Sequence, residues 1–402
     1  MTDDDSASIL AEPVHSYPDT RPRWENEVRP QVMQAFRDEI YGRVPDGEVE
    51  LTWRLLEEGQ GPEGEVRRQI AVTFDGPRGR WTGTALVQLP KGREGLPAYL
   101  GLNFQGNHAC TEDPAVLMTG YERPTETGDI HYDHLRENID IPPARGAKAN
   151  RWPLGLANAG GYAVITLSYL QIGPDHAGIF ERGVHSIFDD TSLEDRPADQ
   201  WGAIGMWAWT LSRLQDALER GMVPEVDPSR VTVMGHSRLG KTALWAAAQD
   251  ERFAAAISNN SGCMGAALSR PVGETPEVLA RIRPYWFARN FSERVLSEQP
   301  LRVDQHQLLA CIAPRPVYVA SASEDLNADP EGEFLSLRTA GQVWSLFGMA
   351  GIESEFPEPE QSITAAEAPL GYHLRAGRHS VESFDWEHWL RFCDRWVTST
   401  GR

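Results

Sequence analysis

From residue 161 to residue 348 the chain keeps returning to one pattern, a short run of β-favouring residues followed by a longer run of helix formers. "GYAVITLSYL" reads as a strand, "DQWGAIGMWAWTLSRLQDALERG" as an amphipathic helix, "RVTVMG" as a strand and "RLGKTALWAAAQD" as a helix. "FAAAISNN" is another strand, and after a helical insertion around 262–300 comes "RPVYVASA", then the helix "GEFLSLRTAGQVWSLFG". Repeated β-then-α units with Val- and Ala-rich strands require a mostly parallel central sheet covered by helices on both faces. The fold class expected is therefore α/β.

Ahead of this region the pattern differs. Residues 1–24 are Pro-rich and acidic and read as an N-terminal arm, with residues 25–402 as a single domain. "WENEVRPQVMQAFRDEIYG" spaces Val28, Val32, Phe36 and Ile40 as one face of a helix that stops at Gly42. "RRQIAVTFDG" and "RWTGTALVQLP" read as a strand pair joined by a Gly-Pro turn, and "PAYLGLNFQGN" as a buried strand running into a loop.

Composition removes several classes of function. With 402 residues and a formal charge of −20 the chain can bury a large core, yet it lacks the clustered Lys and Arg that a nucleic acid or an anionic membrane demands. Neither a nucleic acid nor a membrane is therefore expected as a partner. Cys110, Cys263, Cys311 and Cys393 are far apart without C-x-x-C spacing, so buried free thiols are expected rather than disulfides or a zinc site. The start, "MTDDDSASILAEPVHSYPDT", has neither a basic region nor an apolar run, and the expected location is the cytoplasm unless a leader was removed.

The stretch "VTVMGHSRLGKTALW" puts Ser237 between a strand and a helix. Such a serine is either a helix N-cap or the nucleophile of a strained elbow. The strict elbow motif G-x-S-x-G fails, because Leu239 stands where the second glycine belongs and Gly240 comes one residue late. The surrounding strand–turn–helix pattern nevertheless places Ser237 at the C-terminal end of a parallel strand, where open α/β folds bind ligands. That context favours the elbow.

A serine hydroxyl is a weak nucleophile until a base takes its proton and a third group orients the base. Chain order in α/β-hydrolases is Ser, then acid, then His. Glu324, Asp325 and Asp329 follow a strand in "VYVASASEDLNADP", and His373 and His379 precede the terminal helix in "GYHLRAGRHSVESFDWEHWLRFCDRW". His379 occupies a turn from which its ring can project; His388 lies within the helix, and His373 reads as a loop histidine near the site. Asp325 comes right after the strand and has the shorter side chain, Glu324 is the alternative, and Asp329 fits the N-cap of the next helix. The backbone N–H of Arg238 is the expected oxyanion donor, and its guanidinium is either a second donor or the partner of a nearby carboxylate.

"GHSRLGK" resembles the G-x-S-R-x-G-K signature of glucuronoyl esterases, carbohydrate esterase family 15, in which the second glycine is displaced in the same way. "GLNFQGNH", "RPADQWGAIGMWAWTLSR", "SNNSGCMGAALSR", "GET", "DQHQLLACIAPRPVYVASASED", "ADPEGEF" and "GYHLRAGRH" resemble bacterial members in the family's order, from about residue 25 to the end. The resemblance implies an α/β-hydrolase fold and hydrolysis of esters of 4-O-methyl-glucuronic acid, such as those joining xylan to lignin alcohols, so that the partner is a small-molecule or oligosaccharide uronate ester, with no cofactor and no metal. It implies Ser237 as nucleophile, His379 as base, Arg238 as oxyanion stabiliser, and Lys241 and Glu274 as binders of sugar hydroxyls.

Two residues depart from the family pattern. Many members carry the triad acid at the position of Asn260, so here the acid duty passes to Asp325, a site that some bacterial members use. Members also commonly have Trp two residues after that aspartate, where this chain has Asn327; Trp286 is either a substitute for the lost stacking surface or part of the core. The competing readings are an acetyl xylan esterase of the same fold, a catalytically inactive carbohydrate-binding relative, and a metal hydrolase built on Asp129, His131, Asp133 and His134. The last has neither H-E-x-x-H nor a matching distant ligand.

Overall fold

The computed structural model describes residues 17–119, 143–364 and 368–399. Ten strands form one sheet: β1 (Glu50–Gln60), β2 (Val66–Gly76), β3 (Gly79–Leu89), β4 (Leu96–Asn103), β5 (Ala163–Ser168), β6 (Val226–His236), β7 (Ala255–Asn259), β8 (Val317–Ala322), β9 (Gln361–Thr364) and β10 (Leu370–Arg375). Their order is β1-β2-β3-β5-β4-β6-β7-β8-β10-β9. Neighbours from β5 to β10 are parallel, whereas β1 to β3 pair antiparallel with one another, as β3 does with β5 and β9 with β10. This is the α/β-hydrolase fold expected, with a mostly parallel centre.

The strands are apolar throughout because both of their faces are covered. Ala98 and Leu100 of β4, Ile165 of β5, Val231 and Val233 of β6 and Val317 and Val319 of β8 point into one core. Their alternate neighbours Tyr99, Val164, Met234, Tyr318 and Ala320 point into a second core on the opposite face. Helices α1 (Ala203–Glu219), α2 (Arg238–Gln249) and, beyond α3 (Pro276–Ile282) and α4 (Arg289–Leu296), α5 (Pro330–Ser345) cover the first face with Trp207, Trp245 and Phe334. Helix α6 (Ser383–Cys393) covers the second with Trp386, Trp389 and Phe392.

The outer strands escape the sequence pattern. In β1 only Leu51 is fully buried and Leu55 is half exposed, so this strand is held by its ladder to β2 rather than by an apolar face. Strand β9 is likewise a short exposed edge. Residues 21–40 are helical, slightly earlier than the spacing of Val28, Val32, Phe36 and Ile40 indicates, and Trp24 is sealed against the core. All four cysteines are free and buried. No helix among the described residues is long and apolar enough to cross a membrane.

Candidate active site

Four neighbouring parallel strands end at the same edge of the sheet. Each delivers a polar residue just past its end: Ser237 after β6, Asn260 after β7, Asp325 after β8 and His379 after β10. Ser237 has φ 57° and ψ −130°, a backbone that non-glycine residues avoid, and its N–H is tied to the Asn259 carbonyl at 2.8 Å. The strand therefore turns into α2 within a single residue. Gly235 is obligatory, since a Cβ there would lie 1.9 Å from the Leu239 carbonyl oxygen.

The displaced second glycine has a packing reason. A Cβ at Gly240 would meet Ser261 Cβ at 2.9 Å and Ser258 Oγ at 3.0 Å, so it is residue 240 that passes closest to the neighbouring strand and its loop. Leu239 instead points into the core and is buried. Helix α2 rests on β7 through a glycine one position later than in the strict motif.

The His379 ring places Nδ1 2.5 Å from Asp325 Oδ2. The His379 side chain is 42% exposed and that of Asp325 only 7%, so the carboxylate is sheltered behind an accessible imidazole. Glu324 points outward beside Arg378 instead, at 3.5 Å. Asn260 donates from Nδ2 to the same Asp325 oxygen at 2.9 Å, a carboxamide oriented as a donor. On its other side the His379 ring meets that of His236, the residue before Ser237, with centroids 4.4 Å apart. Burial, then the nearby His379, pushes His236 well below the usual histidine value, so it remains neutral.

Opposite the histidines stands the Arg238 guanidinium. It is paired with Asp175 and lies 4.9 Å from the Trp286 ring and 5.6 Å from that of Phe104. Asp175 also accepts from Trp286 Nε1 at 2.8 Å, the Tyr169 hydroxyl at 3.0 Å and the Tyr285 hydroxyl at 3.2 Å. Burial alone would raise this carboxyl, but Arg238 and these donors outweigh it and hold it below its ordinary value. The cation is thus fixed at the start of α2, where unpaired backbone N–H groups already favour developing negative charge.

The chain matches a family model described as glucuronyl esterase, fungi, over residues 159–348. It is 37% identical over 381 residues to carbohydrate esterase MZ0003, from an unknown prokaryotic organism, across 94% of this chain and 86% of that one. A 4-O-methyl-glucuronoyl methylesterase of Cerrena unicolor is 30% identical over 223 residues, 52% of this chain and 46% of its own. A solved structure of a promiscuous CE15 esterase from a marine bacterial metagenome aligns with a TM-score of 0.82 at 36% identity, covering 96% and 98% of the two chains. The chain belongs to carbohydrate esterase family 15. This glucuronoyl esterase family member is a carboxylic ester hydrolase with the α/β-hydrolase fold.

Within this family 15 esterase the remaining candidate side chains differ in how far they are open to a substrate. Lys241 was expected to reach sugar hydroxyls, but its side chain is only 3% exposed. Its ammonium donates to the carbonyls of Ser261 at 2.6 Å and Cys263 at 2.5 Å, and stands 3.5 Å from Glu274. The four-residue step from Ser237 turns it beneath the 261–263 loop. Glu274, one-fifth exposed, is tied by its N–H to the Asn327 carbonyl at 2.9 Å. Trp286 is 4% exposed and packs on Arg238, so it is no open stacking surface for a sugar. His373 belongs to β10 rather than to a loop and is sealed, with Nε2 2.7 Å from Asp385. Asp329 does cap α5, accepting from Gly332 N.

The residues Asp129, His131, Asp133 and His134 fall outside the described residues. Among the described residues no cluster of His, Cys, Asp and Glu could hold a metal ion. Sequence reasoning missed Asp175, which follows β5 in a loop without a motif, and Glu333, buried under the 261–262 loop on Ser321, Ser261 and Gly262. Nothing local marks either residue. The partners that define their roles lie far along the chain.

Proposed function

We propose that this esterase cleaves esters of (4-O-methyl-)glucuronic acid through an acyl-enzyme on Ser237, with His379, Asp325 and Arg238 completing the machinery. His379 takes the hydroxyl proton through the ring nitrogen not engaged by Asp325, and Ser237 Oγ attacks the uronate carbonyl. The Arg238 guanidinium and its backbone N–H stabilise the oxyanion. Collapse of the tetrahedral intermediate expels the alcohol, which receives its proton from His379; water then attacks the acyl-serine by the same route in reverse.

The observation that carries this reading is the 2.5 Å His379–Asp325 contact, formed beside an elbow serine at a common strand edge. A histidine held through Nδ1 presents its other nitrogen as a base. For the sugar, Glu274 accepts hydroxyls while Lys241, behind it, fixes the loop and its charge. The names of the relatives support the uronate. Exposed Asn327, in place of an aromatic residue, supports looser recognition of the ring than a stacking platform imposes.

The test is a panel containing methyl glucuronate and acetylated xylose, assayed with the wild type and with Ser237→Ala. Preference for the uronate and loss of turnover in Ser237→Ala are the expected results. Preference for the acetyl ester would transfer the assignment to an acetyl xylan esterase. Undiminished hydrolysis by Ser237→Ala would end the serine mechanism.

A further inference from the structure

The loop that carries His379 is wound around a single buried cation. Arg375, the last residue of β10, has a side chain only 7% exposed. Its Nη1 donates to the Ala376 carbonyl at 2.7 Å, and its Nη2 donates to the carbonyls of Arg378 at 2.8 Å and Ser380 at 3.1 Å. The last two carbonyls belong to the residues on either side of His379. The remaining donor, Nε, reaches Asp385 Oδ2 at 3.1 Å.

Asp385 is itself sealed and fully engaged. It accepts from His373 Nε2 at 2.7 Å, from the Glu382 N–H at 2.7 Å and from Asn259 Nδ2 at 3.3 Å. Asn259 Oδ1 in turn meets His236 Nδ1 at 2.6 Å, and the His236 ring lies against that of His379. Two routes therefore run from one carboxylate to the same histidine. One passes through Arg375 to the backbone on both sides of His379, the other through Asn259 and His236 to the face of its ring.

We infer that Arg375, anchored by Asp385, is a positioning residue that holds the His379 imidazole in register with Asp325 and Ser237. The physical reason is the planar guanidinium, which directs several donors at once from one rigid fork, as an ammonium cannot. Arg378 in the same loop is exposed, stands 3.5 Å from Glu324 at the surface, and has no such role. The inference rests on the proposed role of His379 as base.

The test compares Arg375→Lys, Asp385→Asn and Arg378→Ala, with methyl glucuronate as substrate and a fluorophosphonate as probe of the Ser237 hydroxyl. In folded Arg375→Lys and Asp385→Asn, kcat should fall about tenfold to a hundredfold, the loss expected when a reacting group is displaced by about 1 Å. KM should stay within about twofold of wild type, because bound substrate is not touched. Fluorophosphonate labelling should slow in parallel, and the downfield proton resonance of the His379–Asp325 bond should weaken. Arg378→Ala should match the wild type throughout.

Wild-type kcat, labelling and resonance in either folded buried-pair variant would overturn the inference. If both variants fail to fold, a crystal structure of the wild-type fluorophosphonate adduct decides. A guanidinium of Arg375 away from the carbonyls of 378 and 380 overturns the inference, and one bonded to both upholds it. His379→Ala is run alongside. Retained hydrolysis there would bring down the esterase mechanism itself, whereas a dead His379→Ala beside an unaffected Arg375→Lys would remove only the positioning role.

Discussion

His379 and His373 each hold an aspartate, at 2.5 Å and 2.7 Å, yet one ring is 42% exposed and the other sealed completely. His379 lies past the end of its strand, in a loop; His373 lies inside the strand, where the sheet and α6 close over it. The open pair can exchange a proton with a substrate and with water. The sealed pair cannot reach either, and its Asp385 is committed to four donors that lock β10 to α6. A short His–Asp contact is therefore not itself a sign of catalysis. Access to a reacting atom separates a base from a structural tie.

Substituting the two histidines breaks this comparison in opposite directions. His379→Ala should lower kcat by about 10³-fold or more while leaving the melting temperature nearly unchanged, since a half-exposed side chain is lost. His373→Ala should cost about 3 kcal/mol of stability, because it leaves the Tyr318 hydroxyl and part of Asp385 without partners in a sealed site. Calorimetry and steady-state kinetics on both proteins check the pair of outcomes. Similar profiles for the two would erase the distinction.

A smaller change sharpens it. Asp325→Asn keeps the shape of the open pair and removes its charge, and should cost at least about a hundredfold in kcat, as expected when the orienting acid no longer fixes the tautomer. Glu333 supplies the contrast among buried carboxyls, being pushed up to about 7 by burial, with the Asp325 charge adding to the effect. Its folded-state value exceeds the ordinary 4.5, so the native protein binds the proton more tightly than the unfolded chain. The resulting stabilisation is complete below pH 4.5 and is lost as pH rises toward 7. Glu333→Gln should flatten this slope, which is worth about 3 kcal/mol, and urea unfolding across that range would reveal it.

A smaller catalytic effect is expected at Asn260. It donates to Asp325 but sits at φ 47°, a left-handed backbone that asparagine tolerates better than alanine. Asn260→Ala should therefore lower kcat by less than about fivefold, while costing about 1–2 kcal/mol in stability. A kcat loss equal to that of Asp325→Asn would mean that the amide, not the carboxylate, controls His379.

Period and punctuation along the chain were enough to reveal the parallel sheet, the elbow at Ser237, the cap at Asp329 and the candidates His379 and Asp325. Each of these depends on neighbours within a few residues, or on strands that are apolar because both of their faces are covered. Edge strands β1 and β9 left no such trace, since their stability comes from a hydrogen-bond ladder that is indifferent to side-chain type. Nor could local sequence turn Lys241 inward, commit Trp286 to Arg238, or place His373 inside a strand rather than in a loop. Those outcomes were decided when segments far apart in the chain met at one sheet edge, because the burial and pairing of a polar side chain depend on what packs against it and not on the residues beside it.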